Sequence, residues 1–430
     1  MGHNTARKGY DKLVERINKF PLGAPPSETL YKILNVMFSE EEARLVSVLP
    51  IKPFKAKVAA KIWKKTEEEA TEILNELASR ALLIDVNVDG NPTYAMPPPM
   101  AGFFEFSLMR VGGKLDQKVL SELFHQYINV EDEFVTELFS MKTPLGRAFV
   151  HEETIEDKNL YVLDYERASN VIKTASHIGV GTCYCRHKKE HAEEACDAPM
   201  EICMTFNNTA ASLIKHGYAK QVSEEECLDL LDVAKEHNLV QFGENVQNEV
   251  AFICNCCSCC CEALVGARRV GVPHSINSSN YIADVDDETC IGCSKCIMVC
   301  PMEALSMVSR NEVNKKKKIA RLAEENCIGC GVCVAVCKPE SISMVEREER
   351  VFTPVDITHR VVLEAIEKGK LQNLIFDNQA HFNHRVLAAI LGVVLKLPPI
   401  KQILASEQVK SKYLVKLIER KKKKGKLEAK

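Results

Sequence analysis

The sequence predicts a multidomain α+β chain with a mostly helical, cysteine-rich middle, and three observations carry that expectation. At 430 residues the chain is longer than one hydrophobic core ordinarily organises. Its first hundred residues alternate helix caps with a hairpin pattern. All 19 cysteines fall between Cys183 and Cys337, clustered instead of scattered.

Composition narrows the class. With 46% hydrophobic and 27% charged residues the chain is globular, not disordered. A net charge of -3 exerts no global pull on nucleic acid or anionic membranes, so any such affinity must be local. Residues 1–20 are charged and lack the apolar stretch of a secretory signal, which argues against a disulfide framework and for a cytoplasmic chain whose thiols bind metal. The longest apolar run, residues 386–395, is too short to span a bilayer.

Residues 1–100 form the first expected domain. Ser39-Glu-Glu-Glu42 has the reciprocal pattern of a capping box, as does Thr66-Glu-Glu-Glu69, which opens a helix expected to reach about residue 82. A shorter helix is expected near 57–64. Residues 83–88 and 93–96, joined by Asp89-Gly90, read as a hairpin. This order resembles a winged helix, which raises the alternative of a redox-sensing DNA-binding regulator. The helix that would enter the groove, however, carries Glu67, Glu68, Glu69, Glu72 and Glu76 against Arg80, a pattern that repels phosphate. The module is therefore read as a scaffold or protein-contact element, with nucleic acid not expected as a partner.

Residues 101–280 are the expected cysteine-rich domain. Its lead-in holds an aromatic segment at 102–110 and helical spacing at 121–139. Then come Cys183-Tyr-Cys185-Arg186-His187, Cys196, Cys203, and the dense run Cys254-Asn-Cys256-Cys257-Ser-Cys259-Cys260-Cys261. A cubane offers four iron corners, so six cysteines in eight residues must be shared among sites. Neighbouring side chains in an extended segment also point to opposite sides. The simplest partition takes Cys183, Cys185, Cys196 and Cys203 as one set and gives the 254–261 segment to a second cluster, or to completing the first. Arg186 would place a fixed positive charge beside a cluster, and His187 and His191 are available nitrogen ligands. One or two further iron-sulfur clusters are expected; an unusual cluster, or zinc with spare redox-active thiols, remain open. Cys227 follows the capping box Ser223-Glu-Glu-Glu226 and shares a face with Leu230, Leu231 and Ala234, so it is read as a structural core cysteine.

Residues 281–347 carry the most specific signal. Cys290, Cys293, Cys296 and Cys300, followed by Pro301, and then Cys327, Cys330, Cys333 and Cys337, each form a C-x2-C-x2-C-x3-C run. In two-cluster bacterial ferredoxins the fourth cysteine of one run ligates the other cluster. Cys290, Cys293, Cys296 and Cys337 are accordingly assigned to one [4Fe-4S] cluster, and Cys327, Cys330, Cys333 and Cys300 to the second. Gly292 and Gly329 allow positive φ, and Ile291, Ile297, Val299, Ile328, Val334 and Val336 are expected to form a dry shell. Paired zinc sites are the alternative, but two complete tandem runs argue against them.

These two runs resemble a 4Fe-4S dicluster ferredoxin domain, which implies a ferredoxin-like fold and electron transfer. Two departures stand out: Lys338 separates Cys337 from Pro339, and the linker between the runs carries Lys315, Lys316, Lys317 and Lys318, a candidate docking surface for an acidic redox partner. Residues 348–430 are expected to be a helical extension, with helices at 356–371 and 383–397. Its basic end, 410–430, could rest on an acidic partner or peripherally on the inner face of a membrane. No Walker loop, dinucleotide fingerprint or flavin signature is present, so hydride chemistry is assigned to another subunit.

Taken together, the winged-helix-like start, the Cys-x-Cys-Arg to Cys-Asn-Cys-Cys middle and the dicluster end resemble a group of anaerobe iron-sulfur proteins. That resemblance implies a multi-cluster electron carrier, or an electron-transfer subunit of a larger anaerobic oxidoreductase system. A catalytic reductase using the 254–261 segment is the alternative.

Overall fold

The computed structural model describes residues 3–88, 91–139, 141–155, 162–271, 276, 278–309, 318–376, 387–388 and 390–391. The described residues up to Thr143, with those from Pro354 onward, form one compact unit; Pro144–Thr353 forms the other.

In the first unit, helices His3–Ile17, Glu28–Met37 and Glu40–Val46 precede strand β1 (Phe54–Lys55) and helices Ala56–Trp63 and Glu67–Ser79. Strands β2 (Ile84–Val88) and β3 (Asn91–Ala95) follow, and β1 joins them in a sheet of order β1-β3-β2. Both expected capping boxes form: Ser39 with Glu42, and Thr66 with Glu69. Sequence reading missed β1, two residues long, because its pairing with Thr93 and Tyr94 is non-local. The segment after the hairpin belongs to this unit. Only Phe104–Phe106 is helical in the aromatic stretch, followed later by Gln117–Phe124 and Glu133–Phe139. Phe103, Phe104, Phe124, Tyr127 and Phe134 stack into one aromatic core. Helices Ile357–Glu367 and Leu371–Ile375 follow in the same unit, with Glu367 accepting hydrogen bonds from Lys142 N and from Thr143 N and Oγ1. The expected helix at 383–397 falls almost wholly outside the described residues, as do Asp89, Gly90, Lys315, Lys316, Lys317 and the 410–430 segment.

The second unit corrects the expectation of a mostly helical middle. Strands β4 (Gly146–Ala148), β5 (Ile178–Thr182), β6 (Glu201–Phe206), β7 (Lys220–Gln221), β8 (Val240–Glu244) and β9 (Phe252–Cys256) form a six-stranded antiparallel sheet of order β4-β8-β9-β6-β5-β7. All five residues of β5 and of β8 are buried, so neither strand shows the polar alternation that marks a half-exposed strand. Helices Ala168–Thr174 and Glu224–Glu236 flank the sheet, and Val171, Ile172, Val180, Met204, Phe206, Leu231 and Ile253 fill the core between them. Cys227 lies fully buried in that core, its thiol pushed up to about 12 by burial alone.

The rest of this unit has a two-fold repeated plan. Strand β10 (Tyr281–Val285) pairs with β13 (Ile342–Glu346), and β11 (Leu305–Ser309) with β12 (Lys318–Leu322). Short helices Lys295–Val299 and Val332–Ala335 each carry the third cysteine of a run. No helix among the described residues is long and apolar enough to cross a membrane.

Candidate metal centres

The tandem runs line two separate cavities. One is lined by Cys290, Cys293, Cys296 and Cys337, the other by Cys300, Cys327, Cys330 and Cys333. The fourth cysteine of each run therefore crosses to the other's cavity. Gly292 and Gly329 make each first loop possible: both have positive φ, and a Cβ there would meet Lys318 O at 2.2 Å or Tyr281 O at 2.1 Å.

The two cavities differ in exposure. Around the second, Ile328, Cys330, Val332 and Cys333 are buried, and burial pushes the Cys330 thiol up to about 12. A thiol in so dry a site becomes a thiolate only when a cationic iron centre compensates the charge. Around the first, Cys293 is exposed, and Ile291 and Met298 are 64% and 73% exposed. Ile291 thus does not belong to a dry shell as expected; it flanks an open rim.

In the middle region the thiols group by position in space, not by segment. Strand register does the first part: the pairing of Met204 with Ile253 brings Cys203 beside Cys254, with 3.9 Å between sulfurs. Alternation along β9 then puts Cys254 and Cys256 on one side. Cys256 meets Cys261 at 3.2 Å, and Cys185 hydrogen-bonds with both Cys183 and Cys261. Six thiols (Cys183, Cys185, Cys203, Cys254, Cys256 and Cys261) thereby form one continuous network. Cys257, the next residue after β9, faces the other way and joins Cys196, Cys259 and Cys260; these four sulfurs lie within 4.8 Å of one another. The partition expected from sequence, with Cys196 beside Cys183, Cys185 and Cys203, is replaced by this one. His187 and His191 stack on each other, 4.9 Å between ring centres, and neither belongs to the four-sulfur group.

Positive charge is built in around these thiols. Arg186 is fully buried, donating to Pro199 O at 2.7 Å and Asn255 O at 2.8 Å. Its guanidinium acts on Cys183 and Cys254 of the larger set and on Cys257 of the smaller. Asn255 in turn donates to Ile202 O, fixing β9 to β6. A hydrogen bond with Cys260, reinforced by Arg186, holds the Cys257 thiol down to about 4; one with Cys203, reinforced likewise, holds Cys254 down to about 5. Cys261 caps helix Glu262–Val270, and the helix-end N–H groups of Ala263 and Leu264 help hold it well below the usual thiol range, after its bonds with Cys185 and Cys256. A buried Lys188–Glu262 ion pair ties this helix to Tyr184–Glu190, which carries Cys185.

One further residue links the two cysteine regions. Arg268 donates to Ser258 O at 2.7 Å, within the 257–260 loop, and to Pro301 O, next to Cys300; its Nε also lies 3.3 Å from Glu303. Sequence reading missed Arg268, because a basic residue in a helix's last turn is ordinary and nothing local says what it reaches. On another side, His151 N donates to Cys330 O, and His151 Nε2 faces Leu239 O at 3.1 Å.

Residues 283–344 match the family model of a 4Fe-4S dicluster domain. No curated protein and no solved structure matched the chain. The 283–344 module is thus an iron-sulfur domain of the electron-transfer type.

Proposed function

We propose that this chain carries electrons along a line of metal centres, as a component of a larger oxidoreductase system of an anaerobe. The outer cluster, on Cys290, Cys293, Cys296 and Cys337, exchanges electrons with a partner protein. The inner cluster, on Cys300, Cys327, Cys330 and Cys333, passes them towards the middle thiols, where the six-thiol network supplies the ligands of a further iron-sulfur cluster. The observation that carries this order is Arg268, on the helix that starts at Cys261 of the six-thiol network, which donates to the carbonyl of Pro301, the residue following Cys300.

Exposure supports the choice of terminal. Cys293 with Ile291 and Met298 offers an apolar, solvent-facing rim to a docking protein, whereas the corresponding Cys330 and Ile328 of the second run are buried. Arg186 and the helix N-terminus at Cys261 would stabilise the added negative charge of a reduced middle centre. The N-terminal order of helices and strands supports a winged-helix-like module used for protein contact: Arg80 already pairs with Glu42 and Glu76, leaving its helix acidic.

Freeze-quench EPR after mixing with a low-potential reductant protein tests the order. In Cys330→Ser the outer signal should still appear while the middle signal is delayed. Undelayed reduction of the middle centre would overturn the sequence of transfer.

A further inference from the structure

We infer that Cys196, Cys257, Cys259 and Cys260 hold a single tetrahedral metal ion, zinc(II) or iron(II), and not a cluster. The six-thiol network also has close pairs, at 3.2 and 3.9 Å, but it runs from pair to pair, whereas in this set every sulfur lies close to every other. A lone ion with metal–sulfur bonds of about 2.3 Å spaces its four sulfurs by roughly 3.8 Å. Here Cys196–Cys257 and Cys259–Cys260 are each 3.6 Å apart, and all four sulfurs fall within 4.8 Å of one another. No other set of three or more His, Cys, Asp or Glu ligand atoms among the described residues draws in to that span.

The chain supplies its own contrast. A cubane sets each thiolate on a different iron corner, with inorganic sulfide between, so its cysteines must stand apart around a substantial space. The module's two sets do so: neither draws three or more of its sulfurs within 4.8 Å of one another. The 196/257/259/260 set closes on a space fit for one ion instead. Four thiolates around a divalent ion leave a net charge of −2, and Arg186 stands beside Cys196 and Cys257 to offset part of it. An all-sulfur tetrahedron selects zinc or iron over harder cations.

The ion also has a structural task that a cluster is not needed for. It would pin the loop bearing Cys196 to the 257–260 loop, whose Ser258 carbonyl receives Arg268. This inference goes beyond the electron-transfer reading and does not depend on which centre is reduced first.

The test is a metal and sulfide count on the full chain, purified without oxygen, for the parent and for the double variant C259S/C260S. The variant should lose one metal ion per chain, zinc or iron, and no acid-labile sulfide. Loss of about four irons together with about four sulfides would overturn the inference, as would loss of neither metal nor sulfide. If the variant does not accumulate, the parent still decides: iron plus zinc should exceed labile sulfide by one per chain, and equality would refute the single ion. Zinc as the excess ion identifies a clamp and iron a redox relay, and either satisfies the inference. Failure of the electron-transfer reading would show separately, as an absence of reducible EPR signals.

Discussion

Gly331→Ala offers a quantitative check on how the inner cluster loop is seated. Gly331 follows Cys330 with φ +84°, and a Cβ there would stand 2.6 Å from Thr154 Oγ1, with Thr154 Cγ2 and His151 Cβ both at 3.4 Å. Thr154 cannot swing away freely, since it is buried and its hydroxyl donates to His151 O at 2.7 Å. The left-handed backbone costs an L-residue about 1–2 kcal/mol, and overpacking a filled site adds about 1–3 kcal/mol. Gly271 is the control: its φ is +60°, but nothing lies within 4 Å of its would-be Cβ, so Gly271→Ala incurs only the backbone term. In a unit of this size each kcal/mol lowers the midpoint by about 2–4 °C, giving a loss of roughly 4–20 °C for Gly331→Ala and roughly 2–8 °C for Gly271→Ala. Anaerobic scanning calorimetry of the cluster-loaded chain at one scan rate reads both. Thr154→Ala should recover part of the loss in the Gly331→Ala background, a coupling of about 1 kcal/mol or more. Equal losses for the two glycine variants, or no recovery, would refute the packing argument. Ser294, the matching position of the first run, already has φ +66° with a side chain.

Other expectations follow from the same structure. Cys227→Ala should leave iron and sulfide content unchanged while lowering the unfolding midpoint, because Cys227 only fills the core; loss of iron would show that it ligates. Arg268→Ala removes donors to two carbonyls and should cost about 1–3 kcal/mol for each charged hydrogen bond lost, with slower reduction of the middle centre in stopped-flow spectra. Arg186→Lys keeps a charge but loses the fork that holds Pro199 O and Asn255 O; Arg186→Gln removes the charge as well. The Gln variant should therefore shift the middle-centre potential to more negative values in an EPR-monitored titration, by about 60 mV for each ~1.4 kcal/mol of charge stabilisation lost, while Lys keeps most of the potential. A duplex DNA gel shift at physiological salt should show no complex, since helix Glu67–Ser79 presents glutamates and Arg80 is already paired.

How much of this was legible in sequence follows from how local each feature is. The runs beginning at Cys290 and Cys327 could be read because chelation by adjacent loop residues fixes spacing along the chain. The boxes at Ser39, Thr66 and Ser223 could be read because both partners of each cap lie three residues apart. The six-stranded sheet could not. Its fully buried strands lack alternation, and Gly179, Gly181 and Gly243 interrupt two of them with residues that usually weaken strands. The division of the middle thiols was hidden for a related reason. Alternation implied only that the clustered thiols are shared among sites; strand register brings Cys203 to Cys254, and the fold brings Cys196 to Cys257. Exposure of Ile291 was equally out of reach, because its counterpart in the second run, Ile328, has the same local motif and is buried.

In the function proposed above, electrons reside on iron-sulfur centres held by crossed cysteine sets and reach the middle thiols through the inner one. Its most direct test is spin-quantified EPR of the anaerobically reduced full chain, compared with Cys293→Ser and Cys330→Ser. Two magnetically interacting [4Fe-4S] signals are expected from the 283–344 module, and a further reducible signal should survive in both variants, with each serine disturbing a different one of the module's pair. A chain that shows no reducible iron-sulfur signal, or one in which both serines disturb the same centre, would contradict it.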